Sequence, residues 1–263
     1  MNLGISTACL YPMVTEKALE TMITLGFRTF EIFINSYSEL EKGYIRELKK
    51  MIDDSQSRVK SLHPFTSGFE SFLLFSGYQR RFEDSLEFYK RYYEAAAGLG
   101  AEILVLHGER LTPNKVITEQ EYFERFVRLS EVGESFGVTL AQENVNACRS
   151  ADPAFLKRMR KAIGERARFV FDIKQAVRAG FDPYDVCAAM GEDIIHMHIN
   201  DNRLEEECLL PGKGTMDFKR LKAMLDGFGF SGDYVIEVYR KDYVGVEALI
   251  ESYRAVKDIL LAK

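Results

Sequence analysis

The chain has 263 residues, of which 46% are hydrophobic and 29% charged, a balance typical of a globular protein with a large buried core. Its formal net charge of -5 disfavours a nucleic-acid partner, because phosphate binding needs a basic surface. No run of about 18 apolar residues predicts a membrane span, and the first residues lack the pattern of a signal peptide. The four scattered cysteines show no zinc-site spacing, which favours reduced thiols in a cytoplasmic protein.

Eight short apolar runs, rich in β-branched and aromatic residues, predict β-strands. Most of these runs are apolar on both faces, which is typical of a parallel sheet that is buried on both sides. In chain order the predicted strands are residues 3–7, 27–34, 58–65, 101–109, 138–145, 167–174, 193–201 and 233–240.

Longer amphipathic segments lie between these runs and predict helices. Two of the helices begin with an Asp-Pro pair, in which Asp supplies a capping acceptor and Pro needs no hydrogen-bond donor. Eight strand–helix units in about 260 residues predict one α/β domain over residues 1–263, a single (β/α)8 or TIM barrel. The alternative, a doubly wound open sheet, needs a glycine-rich phosphate loop that LGISTACLYP lacks. The predicted helices span residues 15–26, 38–55, 78–100, 118–137, 152–164, 182–191, 217–229 and 244–262.

Polar side chains stand near the carboxyl ends of six predicted strands, where barrels gather their functional groups. Taken singly, each is explained by a structural hydrogen bond or a cap. Three of them are carboxylates within or at the end of apolar runs, where an unpaired charge is costly, and at one barrel mouth they would repel each other. A divalent cation removes both problems, so the set predicts a metal site. The residues are His63, His107, Glu143, Asp172, His198 and Glu237.

The stretch HMHINDN carries two histidines two residues apart. Because strand residues alternate faces, His196 and His198 point the same way. His198, nearer the strand end, is the predicted ligand, and His196 is predicted to lie one layer below as a core or supporting histidine. The polar residues 200–202 are typical of a turn. The sequence GKGT at 212–215 does not match a phosphate loop and is interpreted as a turn before the helix at 217.

The order Glu, Asp, His, Glu at the ends of strands five to eight resembles the xylose-isomerase-like barrel superfamily. HMHINDN resembles the His-x-His-x-x-Asp segment of that superfamily, and PGKGTMDF resembles its downstream Gly-x-Gly-x-x-Asp-Phe turn. The resemblance covers essentially the whole chain. It implies one divalent ion, Mn²⁺, Mg²⁺, Co²⁺ or Zn²⁺, bound by Glu143, Asp172, His198 and Glu237. It also implies that Glu143 and Glu237 act as the acid–base pair.

The superfamily holds sugar and sugar-phosphate isomerases and epimerases, inosose dehydratases, hydroxypyruvate isomerases and endonuclease IV. The resemblance therefore implies an isomerase or epimerase of a small sugar, sugar phosphate or related hydroxy-ketone, working by proton transfer through a metal-stabilised enediolate. An inosose-dehydratase-like lyase and a non-catalytic sugar-binding barrel are the alternatives. Endonuclease activity is disfavoured, because Gln175 replaces a histidine of the family and NRLEEECLLPGKG contains none.

Five residues are predicted to contact a carbohydrate substrate. The resemblance places histidines at the positions of His63 and His107 in the site, and Gln175 can donate a hydrogen bond to a substrate oxygen. Lys174 and Arg203 follow strand ends and suit a phosphate or carboxylate group. The aromatic segment 66–79 is interpreted either as a lid over the site or as a contact in a homo-oligomer.

Overall fold

A computed structural model describes residues 1–112 and 116–262. In these residues eight parallel strands close into a barrel, and the first strand pairs with both the second and the last. The predicted single (β/α)8 barrel is thereby confirmed. The barrel strands are β1 (Leu3–Ser6), β2 (Thr29–Phe33), β3 (Arg58–His63), β4 (Ile103–Leu106), β5 (Thr139–Glu143), β6 (Phe169–Asp172), β7 (Ile194–Ile199) and β8 (Asp233–Ile236).

The α-helices pack around the barrel, and two of them begin at the predicted Asp-Pro pairs. Asp152 accepts a hydrogen bond from the amide of Ala154, and Asp182 accepts one from Tyr184, as both Asp-Pro pairs predict. The helices are α1 (Thr15–Thr24), α2 (Lys42–Asp54), α3 (Glu70–Leu73), α4 (Gln79–Leu99), α5 (Glu119–Glu134), α6 (Pro153–Ile163), α7 (Ile173–Arg178), α8 (Pro183–Met190), α9 (Phe218–Gly227) and α10 (Glu247–Leu260).

All eight strands end before their predicted last residue, and two of these differences shape the barrel mouth. β6 ends at Asp172 rather than at residue 174, because the Asp172 side chain accepts a hydrogen bond from the amide of Gln175 and starts α7 at once. β8 ends at Ile236, so that Glu237 is the first residue beyond the strand. A two-stranded hairpin, Asp201–Arg203 with Glu206–Leu209, follows β7 where only a turn at residues 200–202 was predicted.

The core has two parts because strand side chains alternate between the inside and the outside of a barrel. Most buried apolar side chains form one large cluster that includes the helices. Ile103, Val105, Ala141 and Val170 form a separate small cluster of alternate strand residues, which fits the barrel interior. None of the described helices is long and apolar enough to cross a membrane.

Candidate metal centre

The four predicted ligands meet at the carboxyl end of the barrel. Glu143 and Asp172 end β5 and β6, His198 is the last but one residue of β7, and Glu237 follows β8. One ligand atom from each lies within 4.8 Å of the others. Nδ1 of His198 is 3.3 Å from Oε1 of Glu143, 3.4 Å from Oε2 of Glu237 and 3.7 Å from Oδ2 of Asp172.

This donor set fits a divalent cation. Three carboxylates and one imidazole nitrogen match the ligands of Mn²⁺, Mg²⁺, Co²⁺ and Zn²⁺ in proteins. All four side chains are buried, and Asp172 and His198 have no exposed surface. Unpaired carboxylates in such a place are costly unless positive charge lies between or beside them. The residues therefore fit the ion that the sequence implies.

A fourth buried carboxylate, Glu31 on β2, was missed by sequence analysis and contacts His198. Oε2 of Glu31 lies 2.9 Å from Nε2 of His198 and accepts a hydrogen bond of 2.7 Å from the hydroxyl of Ser61. Burial opposes the charge on Glu31, but the charge of His198 and hydrogen bonds from His196 and His198 outweigh it and hold the pKa of Glu31 well below its usual value. FRTFEIFI contains a carboxylate in an apolar run, which is the signal that singled out three of the proposed ligands.

His196 lies below His198, with the two ring centroids 5.3 Å apart. Its Nε2 is 3.0 Å from the hydroxyl of Ser61, and its side chain has no exposed surface. Burial lowers the pKa of His196. His196 therefore lies beneath the candidate metal centre as a supporting residue.

Two asparagines that sequence analysis missed as site residues hold Asp172 in place. The side-chain amide of Asn144 donates to the backbone oxygen of Asp172 at 2.8 Å and accepts from its amide at 2.7 Å. Asn200 donates to Oδ1 of Asp172 at 3.0 Å. Asn144 is the last but one residue of LAQENV, and Asn200 was interpreted as a turn residue, so neither was predicted to contact Asp172.

His63 and His107 form a pair beside Glu143. Their Nε2 atoms are 2.9 Å apart, so one ring donates a hydrogen bond to the other. Nε2 of His107 is also 3.0 Å from Oε2 of Glu143. Burial lowers the pKa of His107. Burial also opposes charge on His63, but the Glu143 carboxylate, 3.7 Å away, and the charge of Glu31 outweigh this and raise the pKa of His63. His63 further stacks on Phe33 at 4.4 Å between ring centroids, which fixes its orientation.

Lys174 and Gln175, on the first turn of α7, point into the same cluster. The ammonium group of Lys174 contacts the carboxylates of both Asp172 and Glu237 and is 2% exposed. Burial opposes its charge, but Asp172 and Glu237 outweigh burial and raise the pKa of Lys174 well above its usual value. The side-chain oxygen of Gln175 accepts a hydrogen bond from the amide of Asn146 at 3.1 Å.

A cavity of about 530 Å³ opens above this cluster, a volume typical of small-molecule sites. Its walls are largely apolar and aromatic, including Phe33, Phe65 and Phe69, and its floor is polar. Four of the five predicted substrate contacts line the cavity, with Glu143 and Glu237 beside them: His63, His107, Lys174 and Gln175.

The structure does not bring Arg203 into this cavity. Arg203 lies in the hairpin after β7, is exposed and pairs with Glu206 three residues later. It lines a neighbouring surface cavity instead. The sequence placed Arg203 just past a strand end, and the hairpin carries its side chain away from the barrel mouth.

The segment 66–79 is partly helical. A 3₁₀ helix, Phe65–Phe69, leads into α3, and the hydroxyl of Thr66 lies 3.0 Å from that of Tyr92 on α4. Phe69 lines the cavity, whereas Phe72 is exposed and stacks on the guanidinium of Arg81. The segment thus supplies part of the cavity wall.

Residues 19–259 match the family model described as "Xylose isomerase-like TIM barrel". The chain belongs to this family. Membership of the xylose isomerase-like TIM barrel family agrees with the resemblance inferred from the quartet and from HMHINDN.

Similar proteins span nearly the whole barrel. An uncharacterized protein of Mycobacterium bovis is 28% identical over 264 residues, which cover 90% of this chain and 89% of that protein. A solved D-tagatose 3-epimerase-like protein superposes with a TM-score of 0.81 at 20% identity, covering 99% of this chain and 97% of the other. The IOLI protein with a bound zinc atom superposes with a TM-score of 0.76 at 19% identity, covering 99% and 98%. At these identities the two solved structures establish a shared fold.

Proposed function

We propose that the chain is a divalent-metal-dependent isomerase or epimerase of a small sugar, sugar phosphate or related hydroxy-ketone. The observation that carries the proposal is the convergence of Glu143, Asp172, His198 and Glu237 within 4.8 Å, beneath a cavity that Glu143 and Glu237 line. Similarity in fold to a D-tagatose 3-epimerase-like protein and to a zinc-binding barrel supports both the chemistry and the ion.

The bound ion would supply Lewis-acid chemistry, acidifying the C–H bond next to a substrate carbonyl. Glu143 and Glu237 both reach the cavity, so that one carboxylate can take the proton from carbon and the same or the other carboxylate can return it. His63 and His107 can bind and orient substrate hydroxyl groups. The aromatic walls exclude water from the reacting carbon, which protects it from unwanted proton exchange.

The test is metal content followed by proton exchange. Elemental analysis of the purified protein should give about one divalent ion per chain, and the double variant His198→Ala, Glu237→Ala should lose it. The loaded protein, incubated in D₂O with a panel of keto- and aldo-sugars and their phosphates, should put deuterium on the carbon next to the carbonyl of its substrate. Chelator-treated protein and the double variant should not.

Three results would contradict the proposal. Absence of metal, even after reconstitution, would remove the Lewis acid and favour a non-catalytic sugar-binding barrel. Sugar binding without deuterium incorporation would do the same. Deuterium incorporation with loss of water from the substrate, found by product analysis, would instead identify a dehydratase of the inosose type on the same site.

A further inference from the structure

The ammonium group of Lys174 contacts two carboxylate oxygens that face His198. Its ammonium group contacts Oδ2 of Asp172 and Oε2 of Glu237. These two oxygens also face Nδ1 of His198, at 3.7 and 3.4 Å. A divalent ion held by the quartet and the Lys174 ammonium would therefore share the same carboxylate oxygens.

The local backbone fixes the position of Lys174. Because β6 ends at Asp172 and α7 begins at the next residue, Lys174 lies on the first turn of the helix, two residues beyond a proposed ligand. Its side chain returns toward the barrel axis and is 2% exposed. The Tyr239 ring lies beside it, with the ammonium 5.7 Å from the ring centroid.

We propose that Lys174 acts as a permanent cation within the metal centre. Its ammonium group holds the carboxylates of Asp172 and Glu237 together before the ion binds. The same group weakens divalent-ion binding, because it competes with the ion for their oxygens. This inference rests on the metal centre proposed above and concerns how that centre is tuned.

The charges in the cluster support both halves of the proposal. Glu143, Asp172 and Glu237 bring three carboxylates into one buried site, and Lys174 supplies a positive charge that stays when the ion leaves. Opposite charges at contact distance in a buried site attract strongly, and two cations at a similar distance repel strongly, with little screening by salt. The lysine therefore stabilises the ion-free protein and opposes the ion-bound one.

The test compares Mn²⁺ binding and stability in the wild type, Lys174→Met and Lys174→Gln. Calorimetric titration should show that Mn²⁺ binds each variant at least about tenfold more tightly than the wild type. The ion-free variants should melt at a lower temperature, and saturating Mn²⁺ should raise their melting temperature more than it raises that of the wild type. Lys222 offers a matched control, because it is a buried lysine paired with Asp226 on α9. Lys222→Met should leave Mn²⁺ affinity unchanged.

The outcomes separate this inference from the proposed function. Equal or weaker Mn²⁺ binding by both Lys174 variants, with the wild type binding the ion, would overturn the role of Lys174 alone. Failure of the wild type and of both variants to bind any divalent ion would overturn the metal centre itself. Binding by the variants but not by the wild type would support the competition and overturn metal dependence in the natural chain. If Lys174→Met does not fold, Lys174→Gln, which keeps a neutral donor, decides between these results.

Discussion

The carboxylate of Glu31 lies 2.9 Å from Nε2 of His198, while Nδ1 of the same ring faces Glu143, Asp172 and Glu237. The imidazole thus has a carboxylate on one nitrogen and the proposed metal position on the other. This arrangement fixes the ring orientation and keeps the proton on Nε2, which leaves Nδ1 free to bind an ion. A hydrogen-bonded carboxylate also makes the histidine a more basic ligand.

Glu31→Gln should therefore weaken divalent-ion binding by about 10- to 100-fold without removing any ligand. An amide cannot supply the negative charge that favours the proton on Nε2. Ser61→Ala is the control, because it removes a hydrogen bond to Glu31 but leaves the carboxylate in place. Calorimetric titration with Mn²⁺ or Zn²⁺ checks the order of affinities. If Ser61→Ala weakens binding as much as Glu31→Gln does, the carboxylate has no special role.

The barrel, and the convergence of the four proposed ligands at its mouth, could be predicted from the sequence because both depend on local pattern. Apolar runs separated by amphipathic segments predict the fold, and Asp172 or Glu237 stands out as a charge inside or beside an apolar run. The position of Arg203 could not be predicted, because the hairpin that carries it away from the mouth has no strong pattern in NRLEEECL. Asn200 was missed for a different reason, since a turn residue and a hydrogen-bond donor to a ligand look the same in sequence.

The two glutamates of the proposed acid–base pair should be separable from ordinary buried glutamates by proton exchange. Glu143→Gln and Glu237→Gln should each lower the rate of deuterium incorporation by about 10²- to 10⁴-fold at saturating metal, because an amide cannot take a proton from carbon. Glu70→Gln is the matched control, since Glu70 is fully buried nearby but lies outside the cavity lining. Full exchange in both variants, measured by mass spectrometry on an identified substrate, would refute the acid–base assignment.

Glu70 should make stability depend on pH in a way that a glutamine abolishes. Its side chain accepts hydrogen bonds from the amide of Gly108 at 2.5 Å and from the hydroxyl of Tyr89 at 3.2 Å, and burial raises its pKa well above the usual value of 4.5. As pH rises above about 4.5, the unfolded chain loses this proton while the folded chain keeps it. The free energy of unfolding therefore falls with rising pH, by at most about 1.4 kcal/mol per pH unit, until the folded pKa is reached.

Glu70→Gln should lose this contribution to the slope and be more stable than the wild type at pH 8, because the amide has no charge to bury. Its oxygen can accept from the amide of Gly108, and its NH2 group can donate to the hydroxyl of Tyr89. Urea unfolding between pH 5 and pH 8 measures the slope. Glu83→Gln is the control, because Glu83 is solvent-accessible and its pKa is lowered by Arg128, which leaves it ionised in both states across this range. An unchanged slope in Glu70→Gln would show that Glu70 is ionised in the folded protein at neutral pH.

Asp201, the acidic residue of HMHINDN, holds a turn rather than an ion. Its Oδ2 accepts from the amides of Gly212 at 3.0 Å and Gly214 at 2.9 Å, and its Oδ1 accepts from Met216 at 2.9 Å. A side chain built on Gly214 would come within 2.4 Å of Asp201, so the glycine is needed for this approach. Hydrogen bonds to Asp201 therefore connect GKGT to HMHINDN and fix the turn that leads into α9.

Asp201→Ala should lower the free energy of unfolding by about 3 kcal/mol, because three backbone amides of this turn lose a charged acceptor together. Asp217→Ala is the matched control: Asp217 caps α9 by accepting from the amide of Arg220, and a single cap is worth about 1 kcal/mol. Urea unfolding measures both values. Since Asp201 is not among the proposed ligands, Mn²⁺ affinity should fall far less in Asp201→Ala than in Glu31→Gln. The opposite order, with a small loss of stability and a large loss of ion binding, would move Asp201 from the turn into the metal centre.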